Sequence, residues 1–142
     1  GGNSMAKMTV YHGGYTPVKH PEIRAGRNTK DFGTGFYCTV IKEQAQRWAR
    51  RYNTKIVSLY DVRLSSDLKV LEFNEMTEEW LDFIVACRSG EAHDYDIVIG
   101  AMADDQIYAY VSDLYRWYYY KRTVLGFGKV QISYASNCFL HG

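Results

Sequence analysis

The sequence predicts an α+β domain with mainly antiparallel strands. Short runs rich in β-branched and aromatic residues, typical of strands, are interspersed with stretches that repeat apolar residues every three or four positions, as amphipathic helices do. The predicted order is strand, loop, strand, helix, two strands, helix, strand, helix, strand. Because this order lacks a regular βαβ alternation, it favours antiparallel pairing over a doubly wound parallel sheet.

Six segments have the composition of strands. They cover residues 8–13, 36–40, 56–62, 69–73, 96–100 and 129–135. The first strand ends in Gly13-Gly14, and the second follows Gly33-Thr34-Gly35, which we interpret as a flexible approach to the strand. Residues 13–35 are rich in Gly, Pro, Lys, Arg and Asn and are predicted to form a long loop. Long loops in compact domains are usually functional or disordered.

Three helices are predicted from apolar stripes. The stripe of the first helix consists of Ala45, Trp48, Ala49 and Tyr52. The second helix follows Thr77, a favourable N-cap residue, and ends at Gly90. The stripe of the third helix consists of Ile107, Val111, Leu114 and Tyr118.

The length of 142 residues suits one domain with a core of its own. We expect residues 8–142 to form this single domain and residues 1–7 to be a tail. Gly1-Gly2-Asn3-Ser4 has the composition of a cloning remnant, and natural translation is expected to begin at Met5 or Met8. Thirteen Tyr, three Trp and six Phe make aromatic packing a theme, and one or two of these rings are candidates to stack on a flat ligand.

Charge and cysteine content narrow the class of protein. Seventeen basic and sixteen acidic side chains give a net charge of +1, so no strong global field attracts nucleic acid or an acidic membrane, although a local basic patch remains compatible with this balance. Three widely spaced cysteines without a CxxC pair argue against a disulfide framework and a zinc site, so no metal is expected. No signal peptide or transmembrane run occurs, and we expect a cytoplasmic protein, or one delivered into a target cell, without membrane association.

His12 is the first candidate functional residue, because it ends a predicted strand and two glycines follow it. Glycine allows a ligand to approach the backbone closely. Tyr37, on the strand after the glycine-rich segment, is the second candidate. On pattern alone, the other interpretation of both is structural: a histidine bonded within the fold and a packed tyrosine.

Several motifs, in this order along the chain, resemble the DUF3990 family of bacterial proteins, which is placed in the ADP-ribosyltransferase clan. The motifs are Tyr11-His12-Gly13, residues 31–39, Gln44-Ala45, Trp48-Ala49, residues 93–100, Ala103-Asp104-Asp105 and Gln131-Ile132-Ser133. The resemblance runs from about residue 8 to residue 136. It implies a split antiparallel sheet with flanking helices and a cleft that holds NAD.

The resemblance also implies roles for residues in that cleft. His12 matches a histidine that bonds a ribose hydroxyl, Gly13 a backbone contact to the nicotinamide amide, and Tyr37 a ring that stacks on nicotinamide. Gln131 takes the position of a late-strand Glu, which makes His12, Tyr37 and Gln131 the expected catalytic residues. The residues expected to contact NAD are Tyr11, His12, Gly13, Arg27, Phe36, Tyr37 and Thr39.

Gln131 departs from the family pattern of a carboxylate. Breaking the bond to nicotinamide builds positive charge on the ribose, which a carboxylate stabilises and a neutral amide stabilises less. We therefore expect slower chemistry, an altered acceptor, or a contribution from Asp104 or Asp105, whose other interpretation is a turn or helix cap. Among Arg24, Arg27 and Lys30, Arg27 is the first choice for a contact to the pyrophosphate. The other interpretation is that these are solvated charges of a loop.

Three functions follow from these expectations. The first is mono-ADP-ribosyl transfer from NAD to a macromolecular acceptor, protein or nucleic acid, as a toxin or effector with a cognate antitoxin or immunity protein. The second is NAD hydrolysis, which shares the same pocket. The third is an idle module that binds an NAD-like ligand or a protein. A nucleic-acid-binding module based on the aromatic and basic run at residues 115–122 is a fourth alternative.

Overall fold

Seven strands and two helices make up the described part of the chain, which comprises residues 6–22, 31–103, 117–120 and 130–139 of a computed structural model. The elements in chain order are β1 (Ala6–Gly14), β2 (Phe36–Thr39), α1 (Lys42–Ala49), β3 (Ile56–Leu64), β4 (Val70–Glu72), α2 (Glu78–Arg88), β5 (Ile97–Gly100), β6 (Trp117–Tyr120) and β7 (Val130–Phe139).

The six predicted strands and the first two predicted helices are confirmed as elements, with shifted ends. The Thr77 hydroxyl accepts a hydrogen bond from the backbone N–H of Trp80 and caps α2, as predicted. Gly90, just beyond that helix, has a φ of 93°. Tyr52 lies outside α1, which ends at Ala49.

The third predicted helix is wrong at its last stripe residue, because Tyr118 lies in strand β6. The strand pairs on one side with β2 and on the other with β5, so two neighbouring strands fix its backbone. Tertiary pairing of this kind overrides a local helical pattern. The other stripe residues of that helix lie outside the described residues, as do Asp104, Asp105 and Arg27.

The strands form one sheet in the order β4-β5-β6-β2-β1-β3-β7. β4 and β5 pair in parallel, and every other neighbouring pair is antiparallel, which confirms mainly antiparallel pairing. β1 and β2 are joined by the single residue pair Tyr11 and Thr39, whereas β1 and β3 pair over their full length. The middle of the sheet is therefore its weakest seam.

The sheet has two distinct faces, because alternate residues of a strand point to opposite sides. Both helices pack on one side, the helix face, against Tyr37, Trp117 and Val57. The other side carries His12, and we call it the His12 face. Its core consists of Val10, Phe36, Cys38, Tyr60, Val62, Ile97, Ile99, Tyr120 and Val130.

Neither helix in the described part of the chain is long and apolar enough to cross a lipid bilayer.

Candidate functional site

His12 lies at the seam between β1 and β2. Its Nδ1 is 2.6 Å from the carbonyl oxygen of Tyr37, and its ring stacks on Phe36 with centroids 4.7 Å apart and planes inclined by 22°. A carbonyl oxygen only accepts, so Nδ1 carries the proton and donates it. The neutral ring then has its lone pair on Nε2, the chemistry needed to accept a bond from a hydroxyl.

This arrangement accounts for the single residue pair between β1 and β2. The His12 side chain donates to the Tyr37 carbonyl close to Tyr11 and Thr39, the one residue pair that joins β1 and β2. A side chain that occupies a strand carbonyl replaces a ladder bond to the neighbouring strand. His12 therefore sits where the two strands part, with its ring orientation fixed by Phe36 and Tyr37.

Gly13 and Gly14 have different surroundings. A Cβ at Gly13 would lie 2.1 Å from the carbonyl oxygen of Ala45 and 2.9 Å from the amide nitrogen of Ala49, both in the backbone of α1. A Cβ at Gly14 would meet His12 Nε2 at 3.7 Å, an ordinary contact. Gly13 thus allows α1 to approach the sheet, and Gly14 lies beside the acceptor nitrogen of His12.

The Tyr37 ring does not share a side of the sheet with His12. It lies on the helix face, where its hydroxyl accepts from the Phe32 N–H at 3.0 Å and donates to the Gly33 carbonyl at 2.6 Å. Burial raises the pKa of this phenol well above its usual range. The expectation that the Tyr37 ring stacks on a ligand beside His12 is corrected: its carbonyl contacts His12, while its ring belongs to the core.

Tyr11, Gly13 and Thr39 also face the helices. The Thr39 hydroxyl donates to Gln44 Oε1 at 2.6 Å and accepts from the Ile41 N–H at 3.1 Å, so it holds the turn into α1. Tyr11 packs against Ala45 and Ala49 of the same helix. Of the expected NAD-contacting residues, the structure brings together His12 and Phe36 on one face, and it assigns these three to helix packing.

Gln131 lies away from His12. It is exposed on β7 opposite Arg63, which pairs in turn with Lys7 at the far end of β1. Lys7 lies five positions before His12, about 17 Å along an extended strand. Gln131 also belongs to the helix face, because its neighbour Ile132 packs on the His12 face. The register therefore does not support a shared ligand contact for Gln131 and His12.

Asn137 occupies the β7 position level with His12. Ser58 pairs with His12 on one side and with Asn137 on the other, so the three residues form a row across β1, β3 and β7. The row spans about 10 Å, two strand spacings. Apart from this row and Gly14, the residues that these strands place on the His12 face are mostly apolar.

A β-bulge places Asn137 in that row. Leu59 pairs with Ser136 whereas Tyr60 pairs with Tyr134, which leaves Ala135 as the extra residue. Without the extra residue, alternation from Tyr134 would turn Asn137 to the helix face. Asn137 was not predicted from the sequence, because no local pattern indicates a bulge that depends on the pairing of β7 with β3.

The row is anchored by neighbouring groups. The buried Ser58 hydroxyl accepts from the Val18 N–H at 3.2 Å, and the Tyr60 hydroxyl donates to the Val18 carbonyl at 2.6 Å. The Tyr134 hydroxyl donates to Asn137 Oδ1. This bond fixes the amide and leaves its Nδ2 hydrogens as donors on the His12 face.

The segment before β2 is held firmly, which corrects the expectation of a flexible approach. Gly33 has a φ of 95°, a backbone conformation that favours glycine, and a Cβ at Gly35 would lie 2.0 Å from the Tyr119 ring. The Tyr119 hydroxyl donates to the Thr34 carbonyl at 2.9 Å. These contacts fix the entry into β2, and with it the carbonyl that orients His12.

Asp31 and His93 secure the same segment. Asp31 is buried, receives a bond from Arg88 Nε at 2.6 Å and an ion pair from Arg88 Nη2, and accepts the Ala103 N–H at 2.5 Å. His93 Nδ1 accepts from the Tyr95 N–H at 3.1 Å, so its Nε2 carries the proton that is donated to the Phe32 carbonyl at 2.9 Å. His93 thus holds the Phe32 carbonyl, next to Asp31, and helps to fix the segment that leads into β2.

None of the described residues that β1, β2, β3 and β7 place on the His12 face carries a carboxylate. The row offers an imidazole acceptor at one end and an amide at the other, whereas the Ser58 hydroxyl between them is buried and bonded to the Val18 N–H. Such a set can position ribose hydroxyls or a carboxamide by hydrogen bonds, but it stabilises positive charge only through dipoles.

The described residues thus define an α+β protein with one mainly antiparallel sheet, in which an oriented histidine lies between the central strands β1 and β2. The chain matches the family described as "Protein of unknown function (DUF3990)" over residues 8–140. It belongs to the DUF3990 family. No curated protein and no solved structure matches the chain.

Proposed function

We propose that this chain binds NAD on the His12 face and transfers its ADP-ribose to a macromolecular acceptor. The observation that carries the proposal is the orientation of His12, whose Nδ1 is committed to the Tyr37 carbonyl so that Nε2 presents an acceptor. The ordered motifs that resemble the DUF3990 family lie within the matched residues, and the place in the ADP-ribosyltransferase clan that this resemblance implies is the second support. The narrow seam between β1 and β2 is compatible with a split sheet of that type.

The row gives each group a role. His12 Nε2 accepts a hydrogen bond from a ribose hydroxyl. Phe36 stacks on the imidazole and holds its orientation. The Asn137 amide donates to the ligand from the other end of the row. It takes the role that the family resemblance gave to Gln131. In the transfer, the bond between ribose C1′ and nicotinamide breaks, its electron pair leaves with nicotinamide, and the acceptor nucleophile bonds C1′ and loses its proton.

A second candidate is an NAD-binding module that transfers nothing. The observation in its favour is the lack of a carboxylate on the His12 face of β1, β2, β3 and β7 among the described residues. Charge that develops on the ribose would then be stabilised by dipoles alone, which lowers the rate. Both candidates require NAD at His12, so binding is tested first.

Binding is tested by a thermal shift with NAD on wild type, His12→Ala, Asn137→Ala and Gln131→Ala. At ~100 times its dissociation constant, NAD adds about 2.7 kcal/mol of stability. We expect His12→Ala and Asn137→Ala to lose most of the shift and Gln131→Ala to keep it. The melting temperature without NAD shows whether each variant folds. Equal shifts in wild type and a folded His12→Ala variant would overturn the proposal.

Chemistry is tested with NAD labelled in its adenylate, incubated with the protein and a cell lysate. Labelled macromolecules indicate transfer, and nicotinamide release without a labelled acceptor indicates hydrolysis. Binding without either product favours the idle module. Tyr37→Phe serves as a control on the aromatic assignment: it should lower stability, because two hydrogen bonds to the segment before β2 are lost, while the NAD shift persists.

A further inference from the structure

Helix α1 and the turn after it concentrate the positive charge of the described residues. Residues 42–55 contain five basic side chains and one acidic side chain, Glu43, which leaves twelve basic and fifteen acidic residues elsewhere. The rest of the chain is thus net negative. The five basic residues are Lys42, Arg47, Arg50, Arg51 and Lys55.

Most of these cations are exposed to solvent. All are exposed except Lys55, which is half-buried. Two ion pairs between described residues, Lys69 with Asp94 and Arg88 with Asp31, lie away from α1. Arg50, Arg51 and Lys55 have no carboxylate partner among the described residues.

Aromatic rings lie between these charges. Tyr15 is 55% exposed and Tyr52 is 36% exposed, and their ring centroids are 5.6 Å apart. The Arg51 guanidinium lies 3.8 Å from the centroid of the Trp48 ring. Exposed rings flanked by guanidinium groups are how proteins stack unpaired bases while neutralising the phosphates between them. We call Tyr15, Trp48, Tyr52 and the five basic residues the basic–aromatic surface.

We infer that the basic–aromatic surface binds single-stranded nucleic acid. Phosphates contact the exposed Arg and Lys side chains, and bases stack on Tyr15 and Tyr52. The combination favours this partner over an acidic protein or an anionic lipid surface, because a single strand alternates an anionic phosphate with a flat base at every nucleotide, which matches exposed tyrosines set among cations. Residues 115–122, the run that suggested nucleic-acid binding from sequence, do not serve this purpose at Trp117, Tyr119 and Tyr120, which are buried in the core.

The position of the surface also suggests the acceptor. Tyr15 is three residues beyond His12, about 10 Å along an extended chain. Although α1 lies on the opposite side of the sheet from His12, Tyr15 directly follows the end of β1, so a strand held on Tyr15 can pass over that end towards the His12 face. This step, which rests on the proposed function, makes the nucleic acid the acceptor of ADP-ribose.

The test uses fluorescence anisotropy with a fluorescein-labelled twelve-nucleotide single strand, as DNA and as RNA, from 50 to 300 mM salt. The variants are the doubles Arg50→Ala/Arg51→Ala and Tyr15→Ala/Tyr52→Ala. Lys7→Ala/Arg63→Ala is the matched control, since it removes the same charge from an exposed site at the other end of β1 and β3.

We expect wild type and the control to bind alike. Each variant double should bind at least ~10-fold more weakly, since stacking on one ring contributes about 1–3 kcal/mol per base. The arginine double should also reduce the slope of log affinity against log salt by about 1.4, the value for two single-strand phosphate contacts. Loss of affinity in the control equal to that in the variants would overturn the inference.

Two further probes separate the alternatives. Polyglutamate and phosphatidylcholine vesicles with 30% phosphatidylserine serve as other polyanions. The inference would also be overturned if either bound wild type as tightly as the oligonucleotide does and bound the tyrosine double equally well. The NAD shift should persist in both variant doubles. If NAD gives no shift while the oligonucleotide results hold, the proposed function fails and the nucleic-acid surface stands. If labelled NAD modifies lysate protein but never the bound oligonucleotide, the acceptor assignment fails.

Discussion

Gly13 and Gly14 are adjacent in sequence, yet their surroundings demand glycine at only one of them. A methyl group at Gly13 would overlap the backbone of α1, whereas the same group at Gly14 would make an ordinary contact with the His12 ring. Backbone atoms of a helix cannot move aside as a flexible side chain can. The requirement at Gly13 is therefore set by helix packing and does not depend on a ligand.

Gly13→Ala is predicted to destabilise the fold by about 3 kcal/mol or more, because α1 would have to shift away from the sheet. Gly14→Ala is the matched control and should change the free energy of unfolding by less than about 1 kcal/mol. Urea denaturation of both variants measures the difference. Equal stabilities would show that α1 does not rest on Gly13 as described.

At the scale of elements, α2 does more than cover the sheet. Its last residue, Arg88, pairs with buried Asp31, whose second oxygen accepts the Ala103 N–H. One carboxylate thus joins α2, the segment before β2 and the end of β5. That segment leads directly to Phe36 and Tyr37, so the connection fixes the partners of His12.

Asp31→Asn is predicted to lower stability by about 2 kcal/mol, since the amide loses the ionic attraction to Arg88 but keeps an acceptor for Ala103. Asp94→Asn is the control: its ion pair with Lys69 is exposed on both sides, so the change should stay within about 0.5 kcal/mol. Thermal and urea denaturation report both values. A neutral Asp31→Asn would mean that the ion pair contributes nothing to holding the segment.

At the scale of the whole molecule, the core is rich in buried groups that ionise at high pH. Burial raises the pKa of Cys87 to about 11 and that of Tyr119 to about 12. It raises the pKa values of Cys38, Tyr37, Tyr60 and Tyr120 further. The folded state therefore holds protons that the unfolded chain releases near the ordinary values of 9.0 and 10.0.

The sign of the pH effect follows from this difference. Below pH 9 both states keep these protons, and the contribution to stability is fully present. Above it the unfolded state binds fewer protons, so stability falls as pH rises, by about 1.4 kcal/mol per pH unit for each group fully ionised only when unfolded. Urea denaturation should show constant stability from pH 7 to 8.5 and a steepening loss between pH 9 and 12. A flat profile to pH 11 would contradict the burial of these phenols and thiols.

Local composition was enough to predict six strands, apolar stripes were enough for two helices, and residue type was enough for the Thr77 cap, because each depends on residues close in sequence. It was not enough for Tyr118, where pairing with β2 and β5 outweighs a helical stripe. His12 could be selected as a candidate from its place before two glycines. Its partners could not, since Phe36 and the Tyr37 carbonyl come from a strand more than twenty residues away.

The sequence by itself determined the α+β class, the alternation of each strand and the motif order that marks the DUF3990 family. These properties are local, or they depend only on the order of residues along the chain. The tertiary structure decided which residues stand together: the Tyr37 ring in the core, Gln131 at the far end of the sheet, and Asn137 in the row with His12. The physical reason is register. A strand has a period of two, so the single extra residue at Ala135 reverses which side chains face the site, and only the pairing with β3 reveals it.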